Sequence, residues 1–199
     1  MKTTIKVQGL ELARKSTICR FIRDNYNFQL RNNSLIADND IIKSADYQRK
    51  NSLQDDSSIG RLYLDALRYD LEHYEENGND SIIQDSTIIV RSIAFHSIAG
   101  DPELAKEFRK LLAIHPRFTR SYVLTASDEV RFMRLQGRCS RKHDSPEDHL
   151  IYKSPEKFHQ MEDMIIKLVT EEFGGTVLDS SNMEQIGEKE RLASIIMGK

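Results

Sequence analysis

A phosphate-binding pattern near the start of the chain restricts the possible fold more than any other feature. Residues 9–17 read Gly-Leu-Glu-Leu-Ala-Arg-Lys-Ser-Thr and match G-x-x-x-x-G-K-[ST], except that Arg14 replaces the second glycine. A β-rich segment, 3–7, precedes this loop, and apolar residues at helical spacing follow it. Strand, loop and helix are the context that such a loop requires. An ordinary strand-to-helix turn is the alternative, because one fixed position is missing.

The chemistry of this kind of loop assigns roles to two side chains. Consecutive backbone N–H groups and the N-terminus of the helix face the phosphates. Lys15 stands where a lysine reaches the outer phosphates, and Ser16 stands where a hydroxyl helps to hold Mg²⁺. In the alternative, both residues belong to a solvated first turn of the helix.

Composition indicates one domain spanning residues 1–199. The chain has 29 basic and 31 acidic residues, so its net charge does not favour binding to a nucleic-acid polymer or an anionic membrane. The N-terminus lacks the apolar core of a signal peptide, and no apolar run approaches the roughly 20 residues that span a bilayer. Cys19 and Cys139 show no metal-ligand spacing. We expect a cytoplasmic protein without a membrane partner.

Strand and helix patterns alternate along the rest of the chain. Helices are predicted after residue 17, over 59–74, from 102, from 128, from 155 and at the C-terminus. Strands are predicted at 3–7, 34–37, 81–85, 121–125 and 176–178. This alternation implies right-handed crossovers and an α/β fold, in which a parallel sheet of about five strands carries helices on both faces as a three-layer sandwich.

Segment 138–154 is dense in polar and charged residues and is predicted to be a mobile lid. Arg131, Arg134 and Arg138 fall at i, i+3 and i+7 on the helix that leads into it, and Arg141 lies within it. A lid of this kind closes over phosphates, neutralises developing charge and excludes water. The alternative is a solvated face whose charge is balanced by nearby acidic residues.

Three further residues are candidates for the acceptor side of a phosphoryl-transfer site. Asp85 ends a predicted buried strand, where it could accept a hydroxyl proton or orient metal-bound water; a turn cap is the alternative. Arg91 could bind phosphate oxygens through two parallel hydrogen bonds, or form a surface salt bridge. Arg68 lies beside the apolar stripe of its helix, facing either a cleft or solvent.

Taken in order, these motifs resemble the thymidylate kinase family of P-loop nucleoside and nucleotide kinases over most of the chain. The segments that carry the resemblance are 9–17, 62–68, 82–85, 92–96, 128–138, 156–161 and 177–181. Segment 9–17 is similar to the family's G-x-D-x-x-G-K-[ST]-T, segment 62–68 to L-L-F-x-A-x-R, and 177–181 to the last strand and its I-D-A-S turn.

Departures from the family pattern fall mostly on the acceptor side. Arg14 replaces a glycine, Leu64 replaces an aromatic residue that stacks on the acceptor base, and Ser86 replaces an arginine. The R-E-P-G segment after the second strand is missing. The resemblance therefore implies the fold and the class of phosphoryl donor more strongly than it implies thymidylate as the substrate.

The resemblance implies roles for particular residues. Lys15, Asp85 and Arg138 would be catalytic, and Ser16 would ligate Mg²⁺. The acceptor would contact Leu64, Arg68, Asp85 and Arg91. The donor ATP would be bound by Gly9, Glu11, Ala13, Arg14, Lys15, Ser16, Thr17, Arg134, Arg141 and Ser180. The family commonly forms dimers, so a homodimer is a further expectation.

Two functions remain open from the sequence. The first is ATP- and Mg²⁺-dependent phosphoryl transfer to a nucleoside, a nucleoside monophosphate or a similar small acceptor. The second is a catalytically impaired pseudokinase that senses nucleotides or binds a partner, and Arg14 motivates it. A GTPase fits poorly, because the chain has no N-K-x-D segment for reading the base.

Overall fold

A computed structural model describes residues 3–51, 54–75, 81–141 and 146–199. Its centre is a five-stranded sheet in the order β2-β3-β1-β4-β5, and every pair of neighbouring strands is parallel. The strands are β1 (Thr4–Gln8), β2 (Gln29–Asn32), β3 (Ile82–Asp85), β4 (Arg120–Thr125) and β5 (Thr176–Asp179). The predicted parallel α/β sheet is confirmed.

Helices connect successive strands. They are α1 (Lys15–Tyr26), α2 (Asp40–Lys50), α3 (Asp56–His73), α4 (Ile88–Ile98), α5 (Pro102–Lys110), α6 (Asp128–Cys139), α7 (Leu150–Lys153), α8 (Pro155–Lys167) and α9 (Glu188–Met197). Short 3₁₀ turns occupy Leu111–Ile114 and Pro146–His149, and a π-helical turn, Leu168–Glu172, extends α8. No helix among the residues described is long and apolar enough to cross a membrane.

Two hydrophobic cores lie on opposite faces of the sheet. Helices α1 and α9 cover one face through residues such as Ile18, Ile22 and Leu192. Helices α3, α4, α5 and α8 cover the other face, where Phe108 and Phe158 are fully buried. The two cores make a three-layer sandwich, as the alternation of strands and helices predicts.

The order of the strands determines where a ligand can bind. β1 lies between β3 and β4; the chain leaves β1 towards α1 on one face and leaves β3 towards α4 on the other. Adjacent parallel strands whose connections run to opposite faces open a crevice at their carboxyl ends. The loop after β1 and the end of β3 at Asp85 both lie at this crevice.

The predicted strand at 34–37 is wrong, because β2 is Gln29–Asn32 and the apolar run forms a loop. Leu35 is buried in this loop. Asp70, on α3, accepts hydrogen bonds from the Leu35 backbone (2.7 Å), the Ser34 hydroxyl (2.8 Å) and the Asn39 amide (2.7 Å). Contacts from a residue 31 to 36 positions away hold the loop, and a local pattern does not reveal them.

Lys6 is fully buried in the central strand β1. Its Nζ lies 2.8 Å from the centre of the Phe173 ring and has no hydrogen-bond acceptor in the part of the chain that the structure describes. Burial, and to a smaller extent the charge of Arg117, lowers the pKa of Lys6 well below 10.5. A buried ammonium without an acceptor destabilises the fold, and the aromatic contact offsets only part of that cost.

Replacing Lys6 with methionine is therefore expected to raise the free energy of unfolding at pH 7 by about 1–2 kcal/mol. Since the pKa of Lys6 is lowered on folding, the native protein gains stability as pH rises towards 10.5, and the advantage of the variant shrinks. Urea unfolding of both proteins at pH 7 and pH 9 measures this difference. A K6M variant less stable than the native protein at pH 7 would contradict the interpretation.

Candidate functional site

The loop between β1 and α1 approaches a neighbouring strand closely. Gly9 has a φ of +138°, and a Cβ at this position would lie 2.3 Å from the backbone oxygen of Leu124. Leu12 and Arg14 have φ values of 66° and 62°, so both lie in the left-handed region although neither is glycine. The left-handed region costs a residue with a Cβ about 1–2 kcal/mol, and the contacts around the loop offset this cost.

We call residues 9–14 the phosphate loop. Side chains of other elements hold this loop by donating hydrogen bonds to its backbone carbonyl oxygens. Arg131 donates to the Glu11 oxygen at 2.9 Å, and Arg134 donates to the Leu12 oxygen at 2.8 Å. The Ser180 hydroxyl lies 3.0 Å from the Ala13 oxygen. Three consecutive carbonyl groups therefore point towards α6 and the segment after β5.

This orientation fixes the direction of the following N–H groups. In a planar trans peptide, the N–H of a residue points opposite to the carbonyl of the residue before it, and no cis peptide occurs in the described chain. The N–H groups of residues 12–14 therefore point away from α6, towards the inside of the phosphate loop. The N-terminus of α1, which has no side-chain cap, adds further N–H groups. Such a concave set of N–H groups can bind an anion.

Lys15 lies at the start of α1 and is buried, with 9% of its surface exposed. Its Nζ donates to the Leu10 carbonyl oxygen at 2.7 Å, so the ammonium spans the phosphate loop. Burial lowers the pKa of Lys15, and the carboxylates of Glu11 and Asp85 counteract part of this effect. Asp85, at the end of β3, is also buried. The structure thus brings Lys15 and Asp85, two predicted catalytic residues, to one cluster of charges.

Ser16 and Thr17 form the rest of the first turn of α1, where Ser16 is half-buried and Thr17 is exposed. The structure contains no group of three or more His, Cys, Asp and Glu residues that could hold a metal ion, as far as the described ranges extend. The oxygen ligands available at the loop include the Ser16 hydroxyl and the carboxylates of Glu11 and Asp85. Mg²⁺ prefers oxygen ligands and retains several waters, so this sparse set of donors fits Mg²⁺ bound together with phosphates.

The side chain of Arg14 points out of the phosphate loop. Its Nε donates to Glu184 at 2.9 Å, and Arg134 binds both oxygens of the same carboxylate at 2.8 and 2.9 Å. Arg134 also donates to the Ser180 carbonyl oxygen at 2.6 Å. We call Arg14, Arg134 and Glu184 the arginine–glutamate cluster. Because this cluster holds the side chain of Arg14, the arginine that replaces glycine does not occupy the inside of the loop.

The arginine–glutamate cluster makes stability depend on pH. Burial raises the pKa of Glu184, but hydrogen bonds and charge from Arg134 and Arg14 outweigh burial and lower it from 4.5 to about 2. A carboxyl group whose pKa is lowered on folding stabilises the fold above its unfolded pKa, and this contribution is lost as pH falls through the folded pKa. The contribution of Glu184 is therefore present above about pH 4.5 and disappears towards pH 2.

We expect the melting temperature of a Glu184→Gln variant to lie below that of the native protein at pH 6. The difference should narrow as the pH is lowered from 4.5 towards 2, because the native carboxylate becomes protonated. Thermal unfolding of both proteins across this range measures the effect. A difference that is constant with pH would mean that the carboxylate is not held by the two arginines.

On the other side of the phosphate loop is a cavity of about 320 Å³, which we call the acceptor cavity. Leu10, Ile88, Met161 and Ile165 contribute apolar wall. Its charged and titratable lining residues are Glu11, Asp46, Arg49, Asp56, Tyr63, Arg91 and His96. A cavity of this size that combines apolar walls with converging polar groups is typical of a small-molecule site.

Glu11 and Arg91 form an ion pair where the acceptor cavity meets the phosphate loop. Burial raises the pKa of Glu11, but the charges of Arg91 and Lys15 outweigh it, so the pKa of Glu11 lies below its ordinary value. Glu11 is therefore an ionised carboxylate facing the cavity. The sequence predicted Glu11 for the donor and Arg91 for the acceptor, and the structure pairs them at the boundary between the two regions.

An aromatic residue and a histidine line the acceptor cavity further from the loop. The Tyr63 hydroxyl donates to Asp46, and burial raises the pKa of Tyr63. His96 accepts a hydrogen bond from the Asp101 backbone N–H through Nδ1 at 3.1 Å, and burial lowers its pKa. Neutral His96 therefore carries its proton on Nε2. Both side chains contribute polar atoms to the lining of the cavity.

Several predicted site residues lie away from this cavity. Leu64 packs in the hydrophobic core, one position after the cavity-lining Tyr63. Arg68 is half-exposed and pairs with Asp65 at 3.3 Å and Glu107 at 3.5 Å. The structure therefore does not bring these two predicted acceptor residues to the cavity. Leu64 lies on the side of α3 that faces the core, and Arg68 is held by its acidic neighbours.

The predicted lid residues have separate partners. Arg138 pairs with the buried Asp148, and Arg141 is exposed and donates to the Gly137 carbonyl oxygen at 2.8 Å. Residues 142–145 of the predicted lid lie outside the described residues. Arg134, predicted as a donor-binding residue on the same face, is buried against the phosphate loop. The arginine side chains of this face of α6 thus have different partners: Arg134 contacts the phosphate loop, and Arg138 contacts Asp148.

Sequence reasoning missed some residues of the site. Arg131 is fully buried, and it holds the Glu11 carbonyl and pairs with Glu162. Its i, i+3 spacing with Arg134 predicts a face that leads into a lid or faces solvent, and does not predict this burial. Glu184 lies in a polar segment without a motif. The nearest available signal was the unusual Arg14 itself, because an arginine in a buried loop requires an acidic partner.

Comparison with known proteins gives a match at the level of structure alone. No protein-family model matches the sequence, and no curated protein matches it. Deoxyadenosine kinase from M. mycoides, with the products dCMP and dCDP bound, is 18% identical with a TM-score of 0.63, covering 98% of this chain and 97% of that chain. Thymidylate kinase from Candida albicans is 16% identical with a TM-score of 0.65, covering 99% of this chain and 92% of that chain.

A third similar structure is thymidylate kinase from Ehrlichia chaffeensis. It is 12% identical with a TM-score of 0.63, and the match covers 100% of this chain and 99% of that chain. At such low identity, the match shows the fold and not the activity. The chain therefore has the thymidylate kinase-like P-loop kinase fold that its motifs predict.

Proposed function

We propose that this protein transfers a phosphoryl group from Mg·ATP to a nucleoside, a nucleoside monophosphate or a similar small acceptor. The observation that carries the proposal is the phosphate loop, whose carbonyl groups are bound from outside at residues 11–13 and which opens beside the acceptor cavity. An anion-binding loop next to a cavity for a small molecule is the arrangement that phosphoryl transfer requires. The fold of the similar kinases supports the same reading.

On the donor side, the N–H groups of the phosphate loop and of the start of α1 would bind phosphate oxygens. Lys15 would exchange its Leu10 contact for the outer phosphates. Ser16 and Asp85 are the residues that would hold Mg²⁺, which supplies charge neutralisation between the phosphates when bound. No covalent intermediate is needed, because positioning and positive charge account for this kind of catalysis.

On the acceptor side, the Glu11–Arg91 ion pair lies where a reacting hydroxyl or phosphate group would meet the donor. Arg91 can bind oxygens of the transferred group, and the carboxylates of Glu11 and Asp85 are the groups that can accept or orient a hydroxyl proton. Glu11 lines the acceptor cavity, whereas Asp85 lies towards Lys15. Tyr63 supplies an aromatic ring in the cavity, one residue before the position where the resembled family has it.

ADP release in the presence of Mg·ATP tests the proposal against a panel of nucleosides and nucleoside monophosphates, with phosphorylated products identified by mass spectrometry. At least one acceptor is expected to give turnover that depends on acceptor concentration. No turnover above that of the Lys15→Ala variant with any member of a broad panel would contradict the proposal. Tight binding of Mg·ATP without turnover would instead favour the nucleotide-sensing pseudokinase.

A further inference from the structure

The segment that follows β5, residues 180–187, is held against the phosphate loop by two arginine side chains, one from α6 and one from the loop itself. Arg134 binds the Leu12 carbonyl oxygen, the Ser180 carbonyl oxygen and both carboxylate oxygens of Glu184. Arg14 adds a contact made by the loop itself, from its Nε to Glu184 at 2.9 Å. The Glu184 carboxylate thus joins two cations that belong to different parts of the site.

Arg14 also lines a second cavity, of about 480 Å³, on the side of the phosphate loop away from the acceptor cavity. Other members of its lining include Thr17, Met183, Glu184 and the fully exposed Ile186. The walls therefore come from the end of the phosphate loop and the start of α1, from segment 180–187 and from the first turn of α9. The Arg14–Glu184 contact, together with those of Arg134, sets the relative position of these parts and therefore the shape of this cavity.

We propose that Arg14 is a positioning residue of the donor site, whose pairing with Glu184 holds segment 180–187 against the phosphate loop and so keeps the loop in the shape that binds the nucleoside triphosphate. This inference rests on the proposed function. Arg14 acts through Glu184, since its side chain points out of the loop. The arginine that replaces glycine therefore adds a second contact, besides those of Arg134, between the phosphate loop and segment 180–187.

Removing the Glu184 carboxylate distinguishes two ways in which this residue could affect the binding of a nucleoside triphosphate: by positioning segment 180–187, or only by its negative charge. If the charge of Glu184 acted only at a distance, its loss would strengthen or leave unchanged the binding of an anionic triphosphate. If Glu184 positions the segment, its loss weakens binding. Calorimetric titration with Mg·ATP of the native protein and of Glu184→Gln therefore distinguishes the two cases, and we expect about tenfold weaker binding by the variant.

A matched control is Glu188→Gln, at the first residue of α9. Glu188 pairs with Arg191 at 2.9 Å and is not part of the lining of the second cavity. This variant loses one negative charge close to the same segment and is expected to bind Mg·ATP as the native protein does. Thermal unfolding of every variant verifies that the fold is retained.

Arg14→Gly is the second variant, because glycine adopts the left-handed conformation of residue 14 without cost. It is also expected to bind Mg·ATP about tenfold more weakly, and the double variant no more weakly than either single variant. Native affinity or tighter binding in Glu184→Gln or Arg14→Gly would overturn the inference while leaving the proposed function intact. Absence of Mg·ATP binding by the native protein would overturn both.

Discussion

Replacing Gly9 with alanine is expected to lower the free energy of unfolding by about 3 kcal/mol or more. The backbone at Gly9 has a φ of +138°, which residues with a Cβ rarely adopt. The added Cβ would also lie 2.3 Å from the Leu124 carbonyl oxygen. A backbone atom in the core strand β4 cannot move aside as a flexible side chain can. Chemical denaturation of the purified variant measures the loss.

Gly187→Ala is the matched control for this prediction. Gly187 also has a positive φ, of 82°, but a Cβ there would meet no atom within 4 Å. Its replacement should therefore lower the free energy of unfolding only by the cost of placing a residue with a Cβ at a positive φ, about 1 kcal/mol. Equal losses in the two variants would show that the close approach between the phosphate loop and β4 is absent.

Replacing Lys15 with alanine is expected to lower kcat by about 10³-fold, since the variant lacks a preorganised cation at the transferring phosphates. Lys15 is buried, its ammonium lies across the phosphate loop at 2.7 Å from the Leu10 oxygen, and it belongs to the same charged cluster as Glu11 and Asp85. The neighbouring N–H groups do not provide a mobile positive charge. ADP release with the best acceptor of the panel measures the effect.

Lys106→Ala serves as the control for loss of a lysine. Lys106 is an exposed residue of α5 that pairs with Glu103 at 2.7 Å, and its replacement should leave kcat unchanged. A Lys15→Ala variant that folds and retains kcat within a factor of about ten of the native value would remove Lys15 from the catalytic group.

The fold could be predicted from the sequence because its signals are local. The loop at residues 9–17 follows a β-rich segment and precedes helical spacing, and the structure places β1 and α1 there. Helix α4 received no prediction, because Ile88–Ile98 is apolar on almost every side and lacks the amphipathic period. A helix buried on most of its surface carries little of that signal.

The site could be predicted only in part, because its decisive contacts are long-range. Arg14 bonds to a residue 170 positions away, and Arg131 bonds to a carbonyl 120 positions away. The helical spacing of the arginines on α6 places them on one face, but it cannot distinguish a face that leads into a lid, or a solvated face, from a face buried against the phosphate loop. Tyr63 and Leu64 illustrate the same limit, since only the rotation of α3 decides which of them lines the cavity.

A crystal structure of the native protein with Mg²⁺ and the non-hydrolysable analogue β,γ-imido-ATP tests the central claim most directly. The account predicts the triphosphate within the phosphate loop, bound by the N–H groups of residues 12–14 and of the start of α1, with Lys15 Nζ moved from the Leu10 oxygen to a phosphate. Arg14 should remain on Glu184. A loop that stays without nucleotide at saturating concentration, or a triphosphate bound elsewhere, would contradict the claim that this loop still binds phosphate.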